Sequence, residues 1–372
     1  MNRGLRLLSG AVLAAALLVL GRGAWAAEAE CGAEKTRLRE IKDGLGLSLY
    51  VQGGYTHAMD ARLEDDNDIP LRVFDKKDDS FLVDLAELNL YRQAPEEGGV
   101  GYGFKLSLGE TARFIHAVGL GDPDPPVDLT EAYAQALAPV GKGPRFTFGK
   151  FVTMVGAEVI EAEPNLNYSR SFLFNFAIPF THTGLKMSYP VADSLSLGFA
   201  VLNGWDDFTD NNDGKTLDYE VCYNPSGRCC LALNFMYGPE QDDNDSHARY
   251  LLDLVATVKN PLPGWTFMAN YDWGYEEQVP DIGNARWWGV AGYAAYALND
   301  MLSAAVRAET FNDPTGARGV GGRVYEVTLS PQVDYRGLVI RPEYRHDWSP
   351  ENAFNGGTNS QDTVALGLMY TW

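Results

Sequence analysis

The 372-residue sequence lacks the features by which many membrane proteins and enzymes are first identified. It contains no uninterrupted apolar run of about 20 residues, the length that a transmembrane helix needs. It also lacks the G-x-S-x-G, H-E-x-x-H, G-x-G-x-x-G and P-loop patterns, and its five histidines are scattered. We therefore expect no transmembrane helix, cofactor, metal ion or catalytic residue, and the sequence does not predict an enzyme.

Positive charge is scarce relative to negative charge. The chain carries 30 Lys and Arg residues against 50 Asp and Glu residues, a net charge of −20 at pH 7. Such a chain repels phosphate backbones, which argues against a nucleic-acid partner. The acids cluster in runs such as 65–68, 210–213 and 242–245, which are typical of solvated loops. A calcium loop over 209–214 would need an aspartate where Thr209 stands, so we interpret that stretch as a solvated loop as well.

Cysteine is also rare, with four residues in the whole chain. Cysteines of exported proteins are compatible with disulfides. A disulfide of Cys222 with Cys229 or Cys230 could form across a short hairpin, and the sequence leaves open which pair forms.

The N-terminus has the three-part layout of a cleaved secretory signal. Arg3 and Arg6 precede an apolar run over 10–20, and the triplet Ala-Trp-Ala follows at 24–26. We predict a signal peptide at residues 1–26, a periplasmic N-terminal segment at 27–44 and a single domain at 45–372. Removal of the signal would lower the net charge from −20 to −23, because it takes away three arginines and no acid.

The dominant pattern in the rest of the chain is an alternation of period two. Over 363–372, large apolar residues occupy every even position, with mostly small or polar residues between them. Residues 100–108 and 265–273 alternate in the same way, which predicts strands. These strands run to about ten residues or more, the length that crosses a bilayer at a tilt. We therefore expect the apolar face to contact lipid.

Aromatic residues gather at the strand ends, where membrane interfaces carry aromatic girdles. The predicted interface residues are Trp273, Tyr275, Trp288, Tyr344, Tyr370 and Trp372.

Connections that are alternately short and long allow the strands to be counted. In transmembrane β-barrels one end carries short turns and the other carries long loops, and the number of strands is even. The apolar alternation alone finds fifteen strands, with long acidic connections that include 154–181, 238–248 and 276–285. The missing strand lies at 215–223, where alternation resumes before an Asn-Pro-Ser-Gly turn. The sequence thus predicts an all-β fold, a transmembrane antiparallel β-barrel of about 16 strands with an aqueous lumen.

The loop at 155–183 is acidic and yet strongly apolar, and an exposed loop would not tolerate that much apolar surface. We predict that it folds into the lumen and narrows the pore, with Glu158, Glu161, Glu163 and Arg170 as its charged residues. Alternatively, it caps the mouth or packs against a neighbouring subunit of a homo-oligomer.

Several strands place charged residues on their inward faces, where they would line the pore. The predicted wall residues are Lys186, Arg307, Glu309, Glu326, Arg341, Glu343 and Arg345. Their function could be to select ions through a transverse field. Their role could equally be structural, as cross-strand salt bridges that stiffen the wall.

Several short motifs together resemble those of the Putative β-barrel porin-2 family of outer-membrane proteins. They include Gly149–Thr153, Tyr168–Ser171, Ile178–Gly184, Asn203–Asp206 and Arg341–Arg345, and the match runs over nearly the whole mature chain. The resemblance implies a porin-like barrel in the outer membrane of a Gram-negative cell.

We therefore expect the chain to be a porin, a passive diffusion channel for small hydrophilic solutes that contacts outer-membrane lipid. The acidic loops predict a preference for cations, because a mouth of one charge concentrates counter-ions. One alternative is a barrel that sheathes a partner protein or electron carrier. A less favoured one is a barrel-embedded lipid hydrolase that uses Ser169, His182 and Asp206.

Overall fold

The computed structural model of the protein describes residues 44–59, 67–354 and 357–372. The predicted signal peptide and nearly all of the predicted N-terminal segment lie outside these residues. Within the described ranges, no helix is both long and apolar enough to cross a membrane.

Sixteen antiparallel strands close into a barrel. They are β1 (Leu47–Ala58), β2 (Ser80–Arg92), β3 (Gly99–Leu108), β4 (Val127–Leu137), β5 (Arg145–Val152), β6 (Thr181–Ala192), β7 (Leu195–Leu202), β8 (Thr216–Tyr223), β9 (Cys229–Gln241), β10 (Asn244–Lys259), β11 (Trp265–Val279), β12 (Gly283–Ala297), β13 (Leu302–Asp313), β14 (Gly322–Tyr335), β15 (Leu338–Trp348) and β16 (Ser360–Thr371). Each strand pairs with its neighbours in sequence, and β1 also pairs with β16. Closure leaves no edge strand open to pairing with another chain. The predicted sixteen-stranded barrel is confirmed.

Two short helical elements lie in the connections. The helix α1 (Glu110–Phe114) follows β3, and a single π-helical turn (Leu173–Ala177) precedes β6.

The two ends of the barrel differ in their connections. At the turn end, the connections 193–194 and 336–337 are tight, and the longest is 138–144. At the loop end, long connections include 109–126, 153–180 and 203–215. The strand that parity predicted at 215–223 is β8, which pairs with β7 and β9.

Two connections at the loop end are shorter than the sequence predicted. Strands β9 and β10 continue through 238–248 and meet at a turn over 242–243. Strands β11 and β12 likewise meet at 280–282. These hairpin tips are polar on both faces, so the apolar alternation disappears while the hydrogen-bond ladder continues. The prediction of long loops at 238–248 and 276–285 is therefore wrong.

The strands alternate between the two faces of the wall, as their period of two requires. Along β16, Leu366 and Leu368 are exposed on the outer face, whereas Gly367 and Met369 point inward and are buried. The predicted interface aromatics include exposed outer-face residues near both ends of the barrel. Trp273 on β11 stacks against Tyr275 and pairs in register with Trp288, and Tyr370 lies near the turn end. Tyr344 and Trp372 are exposed as well. A role at the membrane interface stays a prediction for all six residues.

Candidate functional site

The long connection 153–180, which we call the lumen loop, lies inside the barrel. Its π-helical turn packs on the inner faces of β11 and β12, where Trp287 Nε1 donates to the Ala177 carbonyl at 3.1 Å. Phe176 stacks on Phe311 of β13 with ring centroids 6.2 Å apart. Phe172 and Phe174 are buried. Most apolar residues of the loop are thus buried in a core between the loop and the wall, although Val159 is exposed.

A pair of glycines in the wall receives the tyrosine of the lumen loop. Gly54 on β1 and Gly367 on β16 are register partners across the seam where the barrel closes. A Cβ atom added to either glycine would lie far inside van der Waals contact with the Tyr168 ring. The Tyr168 hydroxyl donates to Asp84 Oδ2 at 2.5 Å. Both glycines are required at these positions because the aromatic ring occupies the space of their side chains.

Charged wall residues bind the backbone of the lumen loop. Carboxylates accept from its amides: Glu343 accepts from the Tyr168 N–H at 2.7 Å, and Glu309 accepts from the Phe172 N–H. Guanidinium groups donate to its carbonyls: Arg341 donates to Ala162 O at 2.7 Å. An irregular segment buried in a lumen leaves peptide groups that need partners. The wall charges supply those partners.

The same wall residues also pair with one another and with the loop's acids. Arg307 is fully buried and contacts Glu326 at 2.7 Å and Glu158 at 2.8 Å. Arg345 contacts Asp347 at 2.6 Å and donates to Arg170 O at 2.7 Å. Burial of an ion costs a large desolvation free energy, which ion pairing and hydrogen bonding offset. Arg307 and Arg345 are each paired and hydrogen-bonded.

This arrangement corrects the predicted pore-lining wall. Six of the seven residues point inward, as expected, but lie buried beneath the lumen loop: Arg307, Glu309, Glu326, Arg341, Glu343 and Arg345. They do not line open space, because the loop covers them. Lys186 on β6, in contrast, borders a cavity. The sequence indicated the face on which each charge lies, but it contained no signal for the part of that face that the loop covers.

The four charged residues predicted for the constriction hold the loop in place. Glu158 accepts from the Ser171 N–H at 2.7 Å in addition to its contact with Arg307. Glu161 forms an ion pair with Lys105 of β3, and Glu163 accepts from Thr371 Oγ1 at 2.7 Å. Arg170 donates to Val159 O at 3.2 Å. Their role in narrowing a pore stays a prediction.

Open space remains on the side of the lumen opposite the buried charges. A cavity of about 470 Å³ lies between the loop and the inner faces of β4 to β8. Its charged lining residues are Glu131, Arg145, Lys186 and Glu220. Two carboxylates thus face two cations, so the cavity itself has no dominant charge. The sequence indicated only Lys186, although the inward alternation along β4, β5 and β8 could have indicated Glu131, Arg145 and Glu220.

The three residues considered for a hydrolase do not form a triad. Ser169 Oγ accepts from Arg307 Nη2 at 3.1 Å. The two ring nitrogens of His182 contact Thr153 Oγ1 and Gly204 O, each at 3.1 Å. Burial raises the pKa of Asp206 to about 6, against the lowering effect of hydrogen bonds from two backbone amides. Because a triad is defined by the contacts of its members, this trio offers no nucleophile and base.

The predicted disulfide is absent, and Cys222, Cys229 and Cys230 are free thiols. Cys222 lies opposite Ala232 in the register of β8 and β9, so its sulfur reaches Cys230 only diagonally, at 3.9 Å. A disulfide requires its sulfurs at about 2.05 Å, which this diagonal does not provide.

Comparisons with known proteins place the chain among barrels of one architecture. The model of the family described as "Putative beta-barrel porin-2, OmpL-like" matches residues 44–372. A comparison with curated protein sequences finds no match. Among solved structures, the chain is similar to an OmpF of Salmonella typhi in complex with daunomycin, with 13% identity and a TM-score of 0.63, over 88% of this chain and 97% of that one.

Two further structures are similar at the level of the fold. An anion-selective porin from Comamonas acidovorans is 10% identical with a TM-score of 0.61, over 88% of this chain and 98% of that one. The in-vitro folded, trimeric form of OmpT, an outer-membrane protein of Vibrio cholerae, is 11% identical with a TM-score of 0.54, over the same shares of the two chains.

The glycine pair predicts a steric test of the loop position. Gly367→Ala should displace the Tyr168 ring and lower the free energy of unfolding by about 1–3 kcal/mol, the usual cost of overpacking. Amides at 167–173 should exchange faster with deuterium. Gly292→Ala is the matched control, because a Cβ there meets nothing closer than 3.9 Å. If the two variants exchange alike, Tyr168 does not occupy this position.

The buried charge network predicts a large loss of stability. Arg307→Met should cost about 3–5 kcal/mol in urea unfolding, since it leaves Glu158 buried without its cation and leaves Glu326 with Arg345 alone, at 3.6 Å. Lys142→Ala breaks the exposed contact with Asp193 and should change stability by less than about 1 kcal/mol. Equal effects of the two substitutions would contradict the burial of the network.

Proposed function

The chain belongs to the Putative beta-barrel porin-2, OmpL-like family, and on that premise we propose that it is an outer-membrane porin for the passive diffusion of small hydrophilic solutes. The observation that carries the proposal is a cavity with four charged side chains in its lining, between the lumen loop and β4 to β8, inside a barrel whose outer face is apolar. A wall of this kind separates lipid from water, and a lumen lined by polar groups admits hydrated solutes.

The proposed path runs along the inner faces of β4 to β8. Arg145 and Lys186 lie there on adjacent strands, and Glu131 and Glu220 border the same cavity. Charges of both signs within one narrow passage favour polar solutes over apolar ones, because each group would lose hydration to an apolar neighbour. We propose that solutes pass through this channel unchanged, without a catalytic step.

We propose that the channel prefers cations, because its loops are negatively charged. The charges of the cavity balance, whereas the loop end of the barrel carries the acidic runs 210–213, in a connection, and 242–245, at the tip of the β9–β10 hairpin. A mouth of one charge raises the local concentration of counter-ions. The anion-selective porin from Comamonas has the same fold, so the fold alone does not set the sign of selectivity.

We also propose that the outer face contacts outer-membrane lipid and, in part, other copies of the chain. Exposed Leu366 and Leu368 support the lipid contact. The trimeric form of the similar Vibrio cholerae protein supports a homo-oligomer.

A scaffold that sheathes a partner protein is less well supported. Such a role needs a lumen wide enough for a polypeptide, and the lumen loop fills that space with a buried apolar core. Co-purification of a stoichiometric partner together with a lack of conductance would favour the scaffold instead.

If ions follow the proposed path, neutralising an acidic and a basic residue of the cavity should shift the ion selectivity in opposite directions. In planar bilayers under a salt gradient, the wild type should show a cation-selective reversal potential. Glu220→Gln should shift it toward anions and Lys186→Gln toward cations, because each removes one charge from the passage.

The control for this experiment is Lys142→Gln, which removes an exposed charge in the turn 138–144, and its potential should equal that of the wild type. A complete lack of conductance would overturn the porin proposal. Conductance with no shift in either cavity variant would place the path elsewhere.

A further inference from the structure

Three side chains of types that can ligate metals, His57, Asp78 and Asp79, cluster at the loop end of β1, on the outer side of the barrel and away from the lumen. His57 Nδ1 is 2.8 Å from Asp79 Oδ1 and 3.5 Å from Asp78 Oδ1. One ligand atom from each residue lies within 4.8 Å of the other two, and no other such group of three occurs in the described ranges. The outward direction follows from Tyr55, two residues earlier, whose ring packs on the exposed Phe81.

The backbone holds the two aspartates beside β1. The Asp79 N–H donates to Thr56 O at 2.9 Å, and the Asp78 N–H donates to Asn67 O at 3.0 Å. Asp78 Oδ1 accepts from the Ala58 N–H at 2.7 Å. The carboxylates are thus positioned by the chain and not by a ligand, which lowers the entropic cost of binding one.

We propose that His57, Asp78 and Asp79 bind a divalent transition-metal ion of the Zn²⁺ type. Such an ion takes nitrogen and oxygen ligands at about 2.0–2.2 Å, which leaves ligand atoms roughly 3–3.5 Å apart in tetrahedral geometry. The separations of 2.8 and 3.5 Å fit that spacing after small side-chain movements. The imidazole nitrogen disfavours Ca²⁺ and Mg²⁺, which prefer oxygen ligands throughout. The sequence analysis predicted no metal ion, because these residues are separated by 20 positions.

The site would couple to the lumen through the segment that carries the aspartates. In that segment, Phe74 packs on Phe174 and Phe180 of the lumen loop, with centroids 5.5 and 5.6 Å apart. Arg72 contacts Asp347 on the inner wall at 3.1 Å. A bound ion would fix the C-terminal end of the segment to β1 and so stabilise the cover over the lumen loop.

The barrel contains a near-copy of this cluster that serves as an internal control. His346 Nδ1 lies 2.9 Å from Asp362 Oδ1, and the Tyr344 hydroxyl donates to the same oxygen at 2.5 Å. Tyr55 and Asp79 repeat that contact at 2.7 Å in the proposed site. The copy has a single carboxylate where the proposed site has two, so it should not retain an ion.

Calorimetric titration of the purified, folded full chain with ZnCl₂ tests the proposal. We expect one saturable site. His57→Asn and Asp78→Asn should each weaken it by more than about tenfold, since loss of an outer-shell partner alone costs ~10–100-fold. His346→Asn should bind as the wild type does, and a tenfold excess of CaCl₂ should not displace Zn²⁺.

A second readout separates binding from misfolding. Zn²⁺ should slow deuterium exchange of amides at 67–79 in the wild type and in His346→Asn, but not in His57→Asn. The heat-dependent mobility of each variant on an SDS gel reports whether the barrel has formed. Lack of a saturable site in the folded wild type would overturn the proposal. So would Zn²⁺ binding that survives both His57→Asn and Asp78→Asn, or that Ca²⁺ displaces.

Discussion

The pairing of β1 with β16 is the constraint on which the rest of the structure depends. It joins strands from opposite ends of the described chain and turns a sheet into an enclosure. An open sheet would have one lipid face, one water face and two unpaired edges. Closure removes the edges and creates an interior, and only an interior can bury a loop together with the ions that hold it. The lumen loop, the charge network and the cavity all follow from that ladder.

The interior of the barrel is held together by different interactions from those in the core of a soluble protein. The lumen loop brings irregular peptide groups into a confined space, and Glu309, Glu343 and Arg341 bind them. Charged side chains on the strands and peptide groups of the loop thus supply each other's hydrogen-bond partners. An apolar neighbour would leave both without partners. The lumen along β13 to β15 is packed with paired charges beneath the loop, whereas the lumen along β4 to β8 retains the cavity.

Much of the fold was predictable because it rests on local periodicity and parity. The even strand count revealed β8, and the period of two assigned an inward direction to Arg307 and Arg345. The lumen loop covers those residues through contacts between positions more than 130 residues apart, such as Arg307 and Ser169. Local sequence patterns do not predict contacts of that range. The prediction of a disulfide between Cys222 and Cys230 failed for a related reason. Their spacing in sequence predicts that the two residues are near each other, but not that the strand register places them diagonally.

The position of the glycine pair has a consequence for the order of assembly. Gly54 belongs to the first strand and Gly367 to the last, so the site that receives Tyr168 does not exist until those strands have met. The contact joins parts of the chain that are far apart in sequence, and such contacts form late in folding. Tyr168 can therefore dock between these two glycines only after the first and last strands have paired.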